Sequence, residues 1–114
     1  MTDAIEQGPT RKRRPLTQRA AIVAELKAHA SEIREQGVTS LALFGSRVRG
    51  DERQDSDLDV LIEYASDRPF TLYDLVRVER LLKGLTGLEV HIATRDGFRP
   101  HRLRRVLRDA INVL

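Results

Sequence analysis

Two aspartates, Asp57 and Asp59, stand two positions apart in a stretch that otherwise reads as an apolar strand, Leu58 to Tyr64. On a strand, side chains at i and i+2 share a face, with Cα atoms roughly 6.5 Å apart. Carboxylates so placed repel one another and can be reconciled by one or two Mg²⁺ ions, which seek oxygen ligands at about 2.0–2.1 Å. Ahead of Asp57, with ten residues between Ser46 and Asp57, lies Gly45-Ser46, at the end of another apolar run, Val38 to Phe44. A glycine there lets the backbone approach a ligand closely, and a serine opening a short helical turn offers a hydroxyl beside N–H groups that attract phosphate. Arg47 and Arg49 would add guanidinium contacts. Gly-Ser and Asp-x-Asp are each commonplace alone. In this order, with an apolar strand on each side, they describe a triphosphate cradled by a loop and chelated through metal by the next strand, a site for phosphoryl or nucleotidyl transfer.

The elements that must position these groups follow from periodicity. Thr17 is a candidate N-cap for a helix over about 18–36, in which Ile22, Leu26, Ala30 and Ile33 form an apolar stripe and Gly37 supplies the stop. In the second strand Leu58, Val60, Ile62 and Tyr64 fall on one face, and Asp57, Asp59, Leu61 and Glu63 on the other. A turn at 67–69 leads to Thr71 and Asp74, spaced as a capping box, and to a helix reaching about Lys83 that Gly84 and Gly87 close. A third strand covers about 88–93, and Pro100 begins a last helix whose stripe is Leu103, Val106, Leu107, Ala110, Ile111 and Leu114. The order helix, strand, strand, helix, strand, helix predicts an α+β fold, a small mixed sheet with flanking helices. The helices bury the apolar parity and leave the carboxylate parity facing an open side.

The 114 residues fit one domain, 17–114, behind a basic tail, 1–16, that contains Arg11, Lys12, Arg13 and Arg14. Hydrophobic content of 40% and charged content of 32% suit a globular protein. No apolar run is long enough for a bilayer and no leader pattern is visible, so a cytoplasmic protein is expected, without membrane attachment. The absence of cysteine excludes disulfides and thiolate metal sites. A second basic run, Arg99, Arg102, Arg104, Arg105 and Arg108, reads as a solvated helix face, and with no aromatics interleaved, direct nucleic-acid binding is not expected.

The segment Phe44-Gly45-Ser46-Arg47-Val48-Arg49-Gly50, followed by Ser56-Asp57-Leu58-Asp59-Val60, resembles the Gly-Ser-x10-Asp-x-Asp signature of the DNA-polymerase-β-like nucleotidyltransferase superfamily. More closely it resembles the minimal nucleotidyltransferase (MNT) proteins of bacteria and archaea, over about residues 17–100. The resemblance implies a polymerase-β-like fold and a cleft for Mg²⁺ and ATP or another NTP. It implies that Gly45 and Ser46 hold phosphates, that Asp57 and Asp59 bind metal, and that Arg49 supports the loop or a phosphate. Asp55 and Glu63 have no counterpart in the signature and read as solvated. Many MNT proteins are encoded beside a HEPN-domain protein, and some are antitoxins that transfer AMP to a tyrosine of the HEPN toxin. A HEPN-type toxin is therefore the implied partner and acceptor, and the thin core leaves room for a homo- or hetero-oligomer.

One departure stands out. The superfamily uses a third carboxylate on a later strand, and Val90-His91-Ile92-Ala93-Thr94 puts His91 where that acid belongs. Three readings stay open. His91 serves as the base, because imidazole is suited to proton transfer near neutral pH. Glu89, two residues earlier on the same face, reaches in and replaces the acid. Or the site is weakened, and the protein binds nucleotide or neutralises its partner without transfer. Transfer to a small molecule such as an aminoglycoside is the weaker alternative, because no additional substrate domain is expected here unless a partner supplies one.

Overall fold

The computed structural model describes residues 16–50, 57–67 and 69–114. Residues 1–15 of the expected basic tail, with Asp55 and Ser56, lie outside the described residues, whereas Leu16, its last residue, donates its N–H to the Thr86 carbonyl at 2.8 Å and packs on the core. The chain runs α1 (Arg19–Ala28), α2 (Ala30–Glu35), β1 (Val38–Phe44), α3 (Ser46–Arg49), β2 (Leu58–Tyr64), α4 (Leu72–Thr86), β3 (Val90–Thr94), a 3-10 turn (Arg95–Gly97), α5 (Pro100–Asp109) and β4 (Ile111–Asn112). The sheet order is β3-β2-β1-β4, with β2 parallel to β3 and antiparallel pairing on both sides of β1. This is the expected mixed α+β arrangement with one strand more than the sequence suggested.

The apolar parity behaves as its alternation dictates. Leu41 and Leu43 of β1 and Leu58, Val60 and Ile62 of β2 are almost fully buried against Ile22 and Leu26 of α1, Ile33 of α2, and Val78 and Leu82 of α4. Tyr64 continues the parity but is 38% exposed at the strand end, where it stacks on Phe70 at 4.5 Å. The other face is less open than expected. Ala42 and Leu61 are also buried there, where α5 packs against β1 and the 3-10 turn against β2.

Helix boundaries follow local chemistry. Thr71 and Asp74 form the capping box: the Thr71 N–H donates to Asp74 Oδ2 at 2.7 Å, and the Asp74 N–H donates to Thr71 Oγ1 at 3.4 Å. The helix passes through Gly84 and ends at Thr86, with Gly87 as its left-handed cap at φ 75°. It runs past Lys83 because Thr86 is fully buried and satisfied, its hydroxyl donating to the Leu82 carbonyl at 2.8 Å and accepting from the Leu88 N–H at 3.2 Å.

Three expectations need correction. The first helix begins at Arg19 after Gln18, without a side-chain cap from Thr17, and it breaks at His29, whose ring is bracketed by Glu25 at 3.4 Å and Glu32 at 2.5 Å. The third strand begins at Val90, two residues later than expected. The last helix stops at Asp109; Ala110 turns extended, and the chain folds back so that Asn112 and Ile111 pair with Ala42 and Leu43. Val113 is buried in the core and donates its N–H to the Leu41 carbonyl at 2.8 Å. The residues that extended the helical stripe instead cover a sheet edge that would otherwise present unpaired backbone.

Stability therefore resides on one face. Leu82→Ala, at a fully buried position, is expected to cost about 2–5 kcal/mol in denaturant unfolding. Leu107→Ala, at a position 38% exposed on α5, should cost less than about 1 kcal/mol in the same measurement.

Candidate functional site

Gly45 closes β1 at φ 84°, ψ −159°, a conformation that L side chains rarely adopt. It also faces Asp59 directly. A Cβ added at Gly45 would collide with Asp59 Oδ2 and lie 3.0 Å from Asp59 Cγ. The antiparallel register sets this up, because Phe44 is the partner of Asp59. The glycine thus allows the turn after β1 and the carboxylate of β2 to share one small volume.

Ser46 begins α3, whose internal hydrogen bonds start with the Val48 and Arg49 N–H groups donating to the Gly45 carbonyl, both at 3.1 Å. Gly50 ends the turn at φ 84°. Arg19 of α1 donates from Nη1 to the Val48 carbonyl at 2.7 Å and ties the turn to the first helix. Val48 is buried beneath it.

Above the sheet lies a cleft of about 500 Å³, within the usual range of small-molecule sites. One wall is the expected turn and strand: Phe44, Gly45, Ser46, Arg49 and Asp59. The opposite wall is α5, through His101, Arg102, Arg105, Val106 and Asp109. The sequence reading missed this wall by treating the second basic run as solvated. The available signal was the spacing of His101, Arg105 and Asp109 at i and i+4, which puts them on one helix face.

The other expected residues fall in different places. Asp57 precedes β2 and is exposed, outside the cleft lining. Arg47 points inward, only 5% exposed, and is likewise outside the lining. Glu89 pairs with Lys83 of α4 at 3.1 Å, which holds the Lys83 ammonium above its ordinary pKa, and it does not line the cleft. His91 is aligned with Asp59 by the parallel register of β2 and β3, with Nδ1 3.6 Å from Asp59 Oδ1 and a side chain 76% exposed. Glu63 is half-exposed and pairs with Arg95 at 2.6 Å.

Burial is the largest influence on Asp59 and pushes its carboxyl above the usual 3.8; His91 works against this shift, Asp57 with it, and Arg49 against it. Among the described residues no group of three or more His, Asp and Glu side chains is spaced to hold a metal ion. Two neighbouring carboxylates still suit Mg²⁺, which is ordinarily bound by one or two carboxylates together with substrate phosphates. That Asp57 raises the Asp59 pKa shows a repulsion that a cation would relieve.

The family model described as a nucleotidyltransferase domain matches residues 26–113. The chain belongs to this family. It is similar to the protein adenylyltransferase MntA of Thermococcus cleftensis, 35% identical over 89 residues, which is 77% of this chain and 88% of that protein. A Methanocaldococcus jannaschii protein assigned as a protein adenylyltransferase is 34% identical over 80 residues, 70% of this chain and 84% of that one. A solved structure assigned as a minimal nucleotidyltransferase superposes with TM-score 0.70 at 36% identity, covering 82% of this chain and 94% of that chain. A chain of a toxin–antitoxin crystal structure with AMP-PNP shares the fold, with TM-score 0.61 at 16% identity, covering 79% of this chain and 72% of that one. The nucleotidyltransferase is therefore an enzyme of the minimal type.

Two outcomes follow. Gly45→Ala should lose at least about 1–2 kcal/mol of stability from its backbone conformation alone, measured by thermal or chemical unfolding, with the collision against Asp59 added. The sign for Asp59 is opposite to that of a salt-bridged acid. Its folded pKa is raised, so the native state holds the proton more tightly than the unfolded chain, and stability falls as pH rises from about 3.8 through the folded value. Asp59→Asn should accordingly raise the melting temperature of the ligand-free protein at pH 7 and flatten this part of its pH dependence.

Proposed function

We propose that this nucleotidyltransferase moves AMP from ATP to a hydroxyl on a partner protein, and that the partner is a HEPN-type toxin which the modification silences. The observation carrying the proposal is the shared volume of Gly45 and Asp59, which sets the glycine–serine turn directly against a half-buried carboxylate. The protein adenylyltransferase names of its relatives support AMP as the group transferred and protein as the acceptor.

In this reading Gly45 and Ser46 orient the polyphosphate, and Arg49 lends it positive charge. Asp57 and Asp59 would hold Mg²⁺, which when bound neutralises phosphate charge. The acceptor oxygen attacks the α-phosphorus in line while its proton passes to His91. The bond from the α-phosphorus to the bridging oxygen breaks, and pyrophosphate leaves with that electron pair. His91 is favoured over Glu89 because it lies beside Asp59 with an exposed ring, whereas Glu89 is engaged by Lys83. Catalysis by such a site is mostly positioning and charge stabilisation.

A second reading is kept because the described residues hold no group of three or more His, Asp and Glu side chains spaced for a metal ion: the domain binds nucleotide and covers its partner without transfer. Both readings meet one experiment, incubation with α-labelled ATP, Mg²⁺ and the protein encoded by the neighbouring gene. Transfer of label that vanishes in the Asp57→Asn, Asp59→Asn double variant supports the enzyme reading. Neutralisation of the toxin by that double variant at full strength supports the second. Within the first, His91→Ala should lower kcat by about 10²–10⁴-fold while the KM for ATP changes little, and an unchanged kcat would remove His91 from the mechanism.

A further inference from the structure

α5 contributes half of the cleft wall, yet none of its side chains is buried. A ten-residue helix with such a weak apolar anchor needs another reason to lie along the site. Its inner edge supplies Arg102 and Arg105, and the cleft as a whole sets three arginines, Arg49, Arg102 and Arg105, against two carboxylates, Asp59 and Asp109. Among the described residues neither Arg102 nor Arg105 makes an ion pair. Arg102 is nevertheless held in place. Its guanidinium carbon lies 5.9 Å from the Phe98 ring centroid, and Phe98 packs edge-on against Phe44 at 5.9 Å, the residue just before Gly45. One aromatic relay thus links the α5 arginine to the residue before the glycine–serine turn.

We infer that Arg102 and Arg105 are polyphosphate-binding residues that grip the β and γ phosphates of the nucleotide from the side opposite Gly45 and Ser46. The inference deepens the proposed nucleotide site and rests on that reading. Unpaired arginines on a shared helix edge match phosphate oxygens, for which the planar fork of guanidinium is well suited. An apolar or neutral ligand would leave the charges of Arg102 and Arg105 unanswered. The same arrangement gives a phosphate-count preference: ATP should be held far more tightly than AMP, because only the outer phosphates reach α5.

The test is binding to the full chain by calorimetry with Mg²⁺, using ATP, ADP, AMP and inorganic tripolyphosphate as probes. Circular dichroism checks that each variant is folded. Arg102→Gln and Arg105→Gln are each expected to weaken ATP and tripolyphosphate by about tenfold to a hundredfold, the range for a lost charge-assisted bond. AMP should weaken by less than about threefold. Arg104→Gln with Arg108→Gln removes the same charge from residues outside the cleft lining and should leave all four affinities within about twofold. Wild-type binding that the Arg102 and Arg105 variants share overturns the inference and leaves the nucleotide site standing. Equal losses in the Arg104, Arg108 control also overturn it, by showing a bulk-charge effect. A wild-type chain that binds none of the four probes overturns the nucleotide site together with the inference.

Discussion

The site depends on one steric constraint, the near-contact of Gly45 with Asp59. β1 and β2 are neighbours in register, so the residue after Phe44 must pass close to the Asp59 carboxylate. Only a residue without a Cβ fits that gap, and only glycine takes φ 84° there without strain. Other contacts hold this pair in place from outside. Arg19 ties down the far end of the turn through the Val48 carbonyl, Val48 anchors it from below, and Phe98 packs on Phe44 from the α5 side. The turn is short and lies between two fixed strands, which is how a few residues achieve the rigidity that charge stabilisation requires.

Stability and function are divided between the two faces of the sheet. One face packs nearly all of the buried aliphatic side chains between the sheet and α1, α2 and α4. The other holds a desolvated aspartate and a helix with no buried side chain. The second face thus carries groups that are costly in the ligand-free state, and the first supplies the surplus that tolerates them. β4 connects the two: Val113 plugs into the core while its strand covers the edge of β1, immediately after the helix that walls the cleft.

How much of this was legible in the sequence depends on the range of the interaction. Gly45, Ser46 and Asp59 could be read because strand alternation and a fixed spacing suffice to bring them together, and Thr71 with Asp74 because a capping box is complete within four residues. The end of α5 could not be read from its stripe, because Ile111 and Val113 suit a strand as well as a helix; pairing with β1, remote in sequence, decides between them. Nor could the α5 wall be recognised. An arginine facing solvent and an arginine facing a cleft have the same local sequence, and only the packing of Phe98 on Phe44 separates them. The placement of Glu89 on the strand face, one of three open readings, differs for a related reason. Glu89 precedes β3, so strand alternation does not bind it, and the lysine above it on α4 captures the side chain.

His91, standing where the resemblance implies a third acid, has a consequence for the proposed site that reaches beyond catalysis. A carboxylate 3.6 Å from Asp59 would add to the repulsion that Asp57 already exerts and raise the Asp59 pKa further; His91 instead draws it down. The histidine therefore keeps Asp59 more readily ionised, and so readier to accept a cation, while removing one negative charge from the neighbourhood of an incoming polyphosphate. With three arginines already around the cleft, the proposed site is weighted toward holding a nucleotide rather than toward a fully acidic metal cluster. Under the proposed function, binding strength and transfer rate can then vary separately: the first would rest on the arginines and the glycine–serine turn, and the second on what the imidazole does at the neighbouring strand.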